Sequence, residues 1–313
     1  MHALSTIKVT APGSIMLMGE HAVLFGHQAL ACAVDKFMCV TLTAREDRDV
    51  VIDSALATYQ ASLDTLTEDE RLSFVLAAIR RFSDQLPSGF HLSIKSEFSH
   101  TVGLGSSAAV TAAVVTALLA FSGEDVTDKT AVFDHALAIV HDVQDGRGSG
   151  TDLVASVYGG LVAYRVKPRE IKALSGLPPI SLFYAGYKTR TPDVLRKVEA
   201  NSRTQPAIFH SLYQLMNQTC EAAETAIIHQ QWQELGRLMD IYQGLMEALG
   251  VCDQTLADMI WRLRSSEHIC GVKISGSGLG DCVVVLGKDN NLELPYEEIP
   301  VAVSARGVEI EFT

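Results

Sequence analysis

Positive charge is in short supply in this 313-residue sequence. Lys and Arg number 25 against 37 Asp and Glu, a formal net charge of −12. A general nucleic-acid binder needs a basic surface to displace phosphate counterions, and an anionic membrane needs the same, so both partners are excluded for the surface at large. Paired cysteines are missing as well. Cys32, Cys39, Cys220, Cys252, Cys270 and Cys282 are scattered with no C-x-x-C spacing, which argues against a disulfide framework and a zinc cage. The segment Met1 to Thr10 lacks the basic-then-apolar pattern of a secretory leader, and a reduced cytoplasm is the expected compartment. No fixed-period repeat or low-complexity tract is present. A long uncharged run, Thr101 to Gly123, approaches the length of a membrane span. It opens, however, on Gly103-Leu104-Gly105-Ser106-Ser107, a loop and helix cap, which leaves about 16 residues or roughly 24 Å of helix. Being rich in Ala and Thr, it is expected to be a buried helix of a soluble domain.

Familiar nucleotide motifs are absent too. Gly287-Lys288 is followed by Asp289 and has Cys282 where a Walker A glycine belongs,. The run Gly276-Ser277-Gly278-Leu279-Gly280-Asp281 puts Asp281 where the last glycine of a dinucleotide fingerprint would stand,. Neither D-F-G nor H-R-D of the protein kinases occurs,.

With 48% hydrophobic and 20% charged residues the chain can bury a core, and its length suits one large or two modest domains. Strands are expected at Thr6–Ala11, Gln28–Val34, Phe37–Ala44 and Val50–Ile52,. Thr67-x-x-Glu70 reads as a capping box ahead of Leu72, Val75, Leu76, Ile79 and Phe82 at helical spacing,. Phe90, Leu92 and Ile94 alternate as in a half-buried strand,. Thr127 is expected to cap a helix with Val132, Ala136, Ile139, Val140 and Val143 on its apolar face, and Thr151–Tyr158 to form a short helix before a strand at Leu161–Val166,. Pro168 to Pro179 is the candidate boundary. Beyond it come a strand near Ser181–Ala185, helices through Leu263, and strands at Val272–Ile274, Cys282–Leu286, Val301–Val303 and Val308–Phe312. Strands mixed with segregated helices indicate the α+β class.

Three Gly-rich segments carry the chemistry. In Val102-Gly103-Leu104-Gly105-Ser106-Ser107-Ala108-Ala109, the glycines let backbone approach a ligand, and the following helix offers free N–H groups and its positive end. The two serines add hydroxyls, one of them a candidate Mg²⁺ ligand. Ile274 to Asp281 lies between two strand candidates and by itself reads as a hairpin. The remaining segment is Ala11-Pro12-Gly13-Ser14-Ile15-Met16-Leu17-Met18-Gly19-Glu20-His21-Ala22-Val23-Leu24-Phe25-Gly26.

That segment resembles the opening motif of the GHMP small-molecule kinases, and its Gly-Glu-His-Ala-Val-x-x-Gly stretch is most similar to the mevalonate kinases in that family. Gly103 to Ala108 resembles the central G-L-G-S-S-A phosphate loop, and Lys273 to Gly280 the C-terminal Gly-rich motif. Three motifs in order, from residue 11 to 280, span nearly the whole chain. The resemblance implies a GHMP kinase fold: a ribosomal S5 domain 2-like domain over residues 1–170 and a ferredoxin-like domain over 171–313. It implies ATP bound over Gly103, Leu104, Gly105, Ser106, Ser107 and Ala108, Mg²⁺ held partly by Ser107, and Asp152 as the catalytic aspartate that accepts or orients the proton of an attacking alcohol. It implies an acceptor pocket with Glu20, His21, Lys188, Thr189 and Gly276.

Two positions depart from the family. Ser14 stands where the motif carries a lysine, so another group must meet the phosphoryl charge, with Lys188, Arg190 and Arg147 as candidates. Where mevalonate kinases carry a Mg²⁺-binding glutamate, counting gives His141 with Asp142 adjacent. Asp142 is the better ligand for a hard cation, and Asp145 is a further one. Glu20 and His21 favour mevalonate. Gly146–Gly160, Lys188-Thr189 and Gly280-Asp281-Cys282 are nearer to phosphomevalonate kinases. The expected activity is ATP- and Mg²⁺-dependent phosphorylation of the 5-hydroxyl of mevalonate. Phosphomevalonate kinase and a non-catalytic regulator of the same fold are the alternatives. The helices from Gln205 to Leu263 either pack internally or form a homodimer face, and periodicity does not choose between these.

Overall fold

The computed structural model describes residues 6–98 and 102–312. Within them the first part of the chain forms β1 (Thr6–Met18), β2 (Ala29–Ala44), β3 (Asp49–Ser54), β4 (Thr58–Ser62), α1 (Ser73–Phe82), β5 (Phe90–Ser96), α2 (Ser106–Phe121), α3 (Lys129–Val143), α4 (Thr151–Tyr158), β6 (Leu161–Arg165) and β7 (Glu170–Leu174). The rest forms β8 (Ile180–Lys188), α5 (Thr191–Thr204), α6 (Pro206–Ile228), α7 (Trp232–Ala248), α8 (Gln254–Arg264), β9 (Ile269–Ser275), β10 (Gly280–Gly287), β11 (Glu297–Ile299) and β12 (Glu309–Phe312). The chain is α+β, as its pattern predicts.

One sheet runs β12-β1-β2-β5-β3-β4, with β6 and β7 continuing from the first part of β2. The other runs β11-β8-β10-β9, antiparallel throughout. Numbered along the chain, that is fourth-first-third-second, the strand order of a ferredoxin-like sheet. Four helices fill its first crossover, and residues 288–296 join β10 to β11 without a helix. The cut expected between residues 170 and 171 runs through β7, which still belongs to the first sheet, and β12 returns to pair with β1.

β1 runs on to Met18, past Ala11 where the expected strand ended. It stays in register with β2 across a bulge at Pro12/Gly13, where Asp35 and Lys36 of β2 are extra residues. A bulge tolerates proline and reverses which face each side chain takes. Before it, Ile7, Val9 and Ala11 enter the core formed with α1–α4. After it, Ile15 and Leu17 enter a second core shared with α6–α8 and the four-stranded sheet, while Met16 packs on the first. β2 makes the same switch, with Met38, Val40 and Leu42 on one side and Leu30, Cys32 and Val34 on the other. The joint between the bodies is therefore a strand pair buried on both faces, and Ser14 lies in it with no exposed surface.

α2 spans 16 residues and is buried nearly all round, which is why its sequence needs no polar face. No helix among the described residues is long and apolar enough to cross a membrane. Other local expectations shift. The Thr67 amide is taken by the Tyr59 hydroxyl at 2.9 Å, so Thr67 opens no helix; Asp69 caps a 3-10 turn instead and α1 starts at Ser73. Asp128, not Thr127, caps α3 by accepting from the Thr130 amide at 2.8 Å. At Val301–Val303 there is a single bridge, Val303 to Val34, in place of a strand.

Candidate functional site

A cleft of about 730 Å³ opens where the two bodies meet, a size that suits a nucleotide or a small metabolite,. Two helices begin on its floor. α2 starts behind Gly105, at φ 62°, and α4 behind Gly150, at φ 81°, with no side chain among the described residues capping either. Their first-turn N–H groups and positive ends are left for a ligand with negative charge. Gly103, Gly105, Ser106, Ser107 and Ala108 line this floor. Leu104 does not: its side chain is fully buried in the second core, and its carbonyl accepts from the Ser14 amide at 3.0 Å.

Asp152 occupies the first turn of α4. Burial pushes its carboxyl above the ordinary aspartate value, opposed first by a hydrogen bond from Ser14 and then by the charge of Lys188, with Asp281 adding to the rise. The Ser14 hydroxyl donates to Asp152 Oδ1 at 2.9 Å. Gly105 is required between them, because a Cβ there would collide with Ser14 Oγ and lie 3.5 Å from the Asp152 Cβ.

Of the cations named from sequence, Arg147, Lys188 and Arg190 share the wall of this one cleft, together with Arg196 of α5. Lys188 pairs with Asp281 at 2.8 Å, and Arg196 with Asp193. No ion pair engages Arg147 or Arg190 among the described residues.

Glu20 and His21 line the cleft with Ser275, Gly276 and Ser277. His21 has φ 60°, and its Nε2 lies 2.9 Å from the Ser277 carbonyl. Burial lowers its imidazole pKa, and Nδ1 has no partner among the described residues. Glu20 Oε1 accepts from Lys273 Nζ at 2.6 Å and from the Gly276 amide at 3.3 Å. The hairpin expected at Ile274–Asp281 is real, joining β9 to β10, and its turn is part of the site. Thr189 is not on the wall: its hydroxyl donates to the Leu279 carbonyl at 2.6 Å and ties the end of β8 to that turn.

Asp142 is also off the wall. It is exposed on α3, one residue before Val143 turns inward, whereas Asp145 does line the cleft. Counting along the chain missed this because helical phase, not proximity in sequence, decides which side chain faces inward. His141 is a satisfied partner, its Nε2 2.8 Å from the Gly148 carbonyl. Sequence reasoning overlooked Arg196, the hydrogen bond from Ser14 to Asp152, and the role of Asp281 beside Lys188. Only the last left a signal, an acidic residue following glycines in a turn.

Comparison with known proteins agrees with this layout. Residues 73–160 match the GHMP kinases N terminal domain and residues 223–294 the GHMP kinases C terminal. The chain is 30% identical to the mevalonate kinase of Thermococcus sibiricus over 308 residues, 92% of this chain and 91% of the relative. Two solved structures share the fold. L. major mevalonate kinase in complex with R-mevalonate is 21% identical with a TM-score of 0.79, covering 96% of both chains. Streptococcus pneumoniae phosphomevalonate kinase is 19% identical with a TM-score of 0.78, covering 93% of this chain and 99% of the other. Both halves of the sequence, joined through the β1–β2 pair around one cleft, thus place this chain in the GHMP kinase family of small-molecule kinases.

Proposed function

We propose that the chain transfers the γ-phosphoryl group of ATP to the 5-hydroxyl of mevalonate. The observation that carries phosphoryl transfer is the half-buried Asp152 carboxylate in the first turn of α4, sharing with the start of α2 a cleft walled by cations. The ATP phosphates lie against the first-turn N–H groups of α2. Asp152 orients the acceptor hydroxyl and takes its proton as the oxygen attacks phosphorus. The new O–P bond forms while the bond from phosphorus to the β-phosphate bridging oxygen breaks, and ADP leaves with that electron pair.

The donor set suits Mg²⁺. No cluster of three His, Cys, Asp or Glu exists among the described residues, but Mg²⁺ keeps several waters and commonly needs only one or two protein ligands beside phosphates. Ser107 would hold it, with Asp145, a cleft-wall carboxylate just beyond α3, as the acidic ligand. Bound there, the ion neutralises phosphate charge.

Mevalonate as acceptor is supported by the 30% identical relative, named a mevalonate kinase, and by Glu20 and His21 in the cleft. A second reading, phosphomevalonate, draws on the four cations of the wall, since its extra dianion needs more positive charge,. The two solved folds do not separate these acceptors. A coupled ADP-release assay with mevalonate, phosphomevalonate, galactose and homoserine does. Selective turnover of mevalonate, by about 100-fold in kcat/KM, is the expected outcome. A preference for phosphomevalonate would replace the reading, and turnover of neither would end it.

A further inference from the structure

We propose that Lys188 is the cation that meets the negative charge of the phosphoryl group in flight, and that Asp281 is the positioning residue that aims it. The proposal rests on the phosphotransfer reading above and adds the source of positive charge on the C-terminal side of the cleft.

Lys188 closes β8, and its Nζ lies 2.8 Å from Asp281 Oδ2. The backbone is shaped for this contact. Asp281 adopts φ 68°, a region unfavourable for residues with a Cβ, and it falls at a bulge between Gly280 and Cys282 in the β8–β10 pairing,. The bulge takes Asp281 out of the ladder and puts its carboxylate over Gly103, where any Cβ would collide with it. Two residues further on, Gly105 makes the equivalent close approach to Ser14, whose hydroxyl holds Asp152. The phosphate loop thus carries Asp281 against one glycine and the Ser14–Asp152 pair against the next.

Lys188 is close enough to both for its charge to act on Asp152 as well as on Asp281. The Asp281 side chain is only 12% exposed, and its Oδ1 is buried with no hydrogen-bond partner among the described residues. A buried carboxylate held by one lysine alone is costly as a packing element. As an anchor it uses one of three ammonium donors and leaves the others for a ligand in the cleft that Lys188 lines,. Arg147, Arg190 and Arg196 lack this arrangement: among the described residues none is held by a buried carboxylate. The ammonium gives up no proton in the reaction. It pairs with the phosphoryl oxygens while the hydroxyl proton passes to Asp152.

The test uses the full chain with Lys188→Met, Asp281→Asn and the double variant. In the ADP-release assay, Lys188→Met should lower kcat by about 100-fold or more, as removal of a transition-state donor does. Affinity for ADP should stay within about threefold, because the contact develops in the transition state. Asp281→Asn should lower kcat by about tenfold, and by little more once Lys188 is gone, as coupled residues do. A binding readout separates this proposal from the choice of acceptor. ADP and Mg²⁺ with aluminium fluoride, a mimic of the phosphoryl in flight, should bind wild type more tightly than ADP and Mg²⁺ alone. Lys188→Met should lose most of that gain. If wild type turns over neither mevalonate nor phosphomevalonate yet shows a fluoride gain that the variant lacks, the acceptor reading fails and the cation assignment stands. Equal fluoride gains in wild type and Lys188→Met overturn the role of Lys188. Fully additive losses in the double variant overturn that of Asp281.

Discussion

Glu20 and Asp152 are carboxylates of one cleft, the first buried and the second half-buried, and the protein treats them differently. Burial pushes both above their ordinary range. Glu20 is given a lysine of its own: Lys273 Nζ sits 2.6 Å away with neither side chain more than 1% exposed. The Tyr242 ring lies 5.4 Å from that ammonium, and its hydroxyl accepts from the Gly19 amide and donates to the Glu20 carbonyl, each at 3.0 Å. Asp152 receives one hydroxyl, from Ser14, and its cation is anchored elsewhere, on Asp281. The first arrangement locks the β9 hairpin to the end of β1. The second leaves a base with a raised proton affinity and an unfilled side toward the ligand, which is what proton transfer requires. Neutralisation in place makes a joint, and neutralisation at a distance makes a reactive group.

The comparison breaks most visibly at Asp152. Asp152→Asn keeps shape and the Ser14 contact but removes the base, and kcat should fall by about 10²–10⁴-fold with ADP affinity retained. Fold stability at neutral pH should not fall, and is expected to rise. With the folded pKa raised, the favourable contribution of Asp152 is full below the unfolded value and is lost as pH rises through the folded value,. Wild type at neutral pH therefore carries a penalty that asparagine does not. The gap in melting temperature should close on acidification toward 3.8, the ordinary aspartate value. A variant that is active, or less stable at neutral pH, contradicts the contrast. Lys273→Met attacks the other side. It strands a buried Glu20 carboxylate, and denaturant unfolding should show a loss of about 3–5 kcal/mol. Adding Glu20→Gln should recover much of that loss. If Lys273→Met is tolerated within about 1 kcal/mol, the pair is no joint.

What sequence made legible was local. Gly103 to Ala108 and the run to Phe121 announce a loop and a buried helix because glycine, serine and unbroken apolar character act within a few residues. α2 begins and ends as that pattern predicts. The path of β1 was hidden because Pro12 and Gly13 read as a turn, whereas two extra residues in β2, Asp35 and Lys36, convert them into a bulge. Ser14 likewise read as a lost charge. Its hydrogen bond to Asp152 exists only because Gly105 lets α4 and β1 approach across the loop. Asp281 and Lys188 come from different strands and meet through the β8–β10 register, which motif spacing does not encode. Local chemistry was readable, and contacts set by sheet pairing were not.

Ser14 gives the finest measure of the contrast between the two carboxylates. Its hydroxyl donates to the ionised form of Asp152 and holds the pKa down against burial. Ser14→Ala should therefore raise it further. If Asp152 must be ionised to take the proton, the acid limb of the kcat–pH profile moves to higher pH. One hydrogen bond to a charged group amounts to about 1.5–3 kcal/mol, which bounds the displacement at roughly 1–2 pH units. On the alkaline side of that limb kcat should fall only severalfold, because Asp152 and Lys188 are both still in place. Ser14→Lys gives the converse. A buried ammonium there would crowd Gly105 and stand beside Asp152, which the charge of Lys188 already reaches, so no rate gain is expected. A gain would mean that Lys188 leaves part of the phosphoryl charge unmet. An unmoved acid limb in Ser14→Ala would mean that the helix end and Lys188, not the hydroxyl, set the ionisation of Asp152.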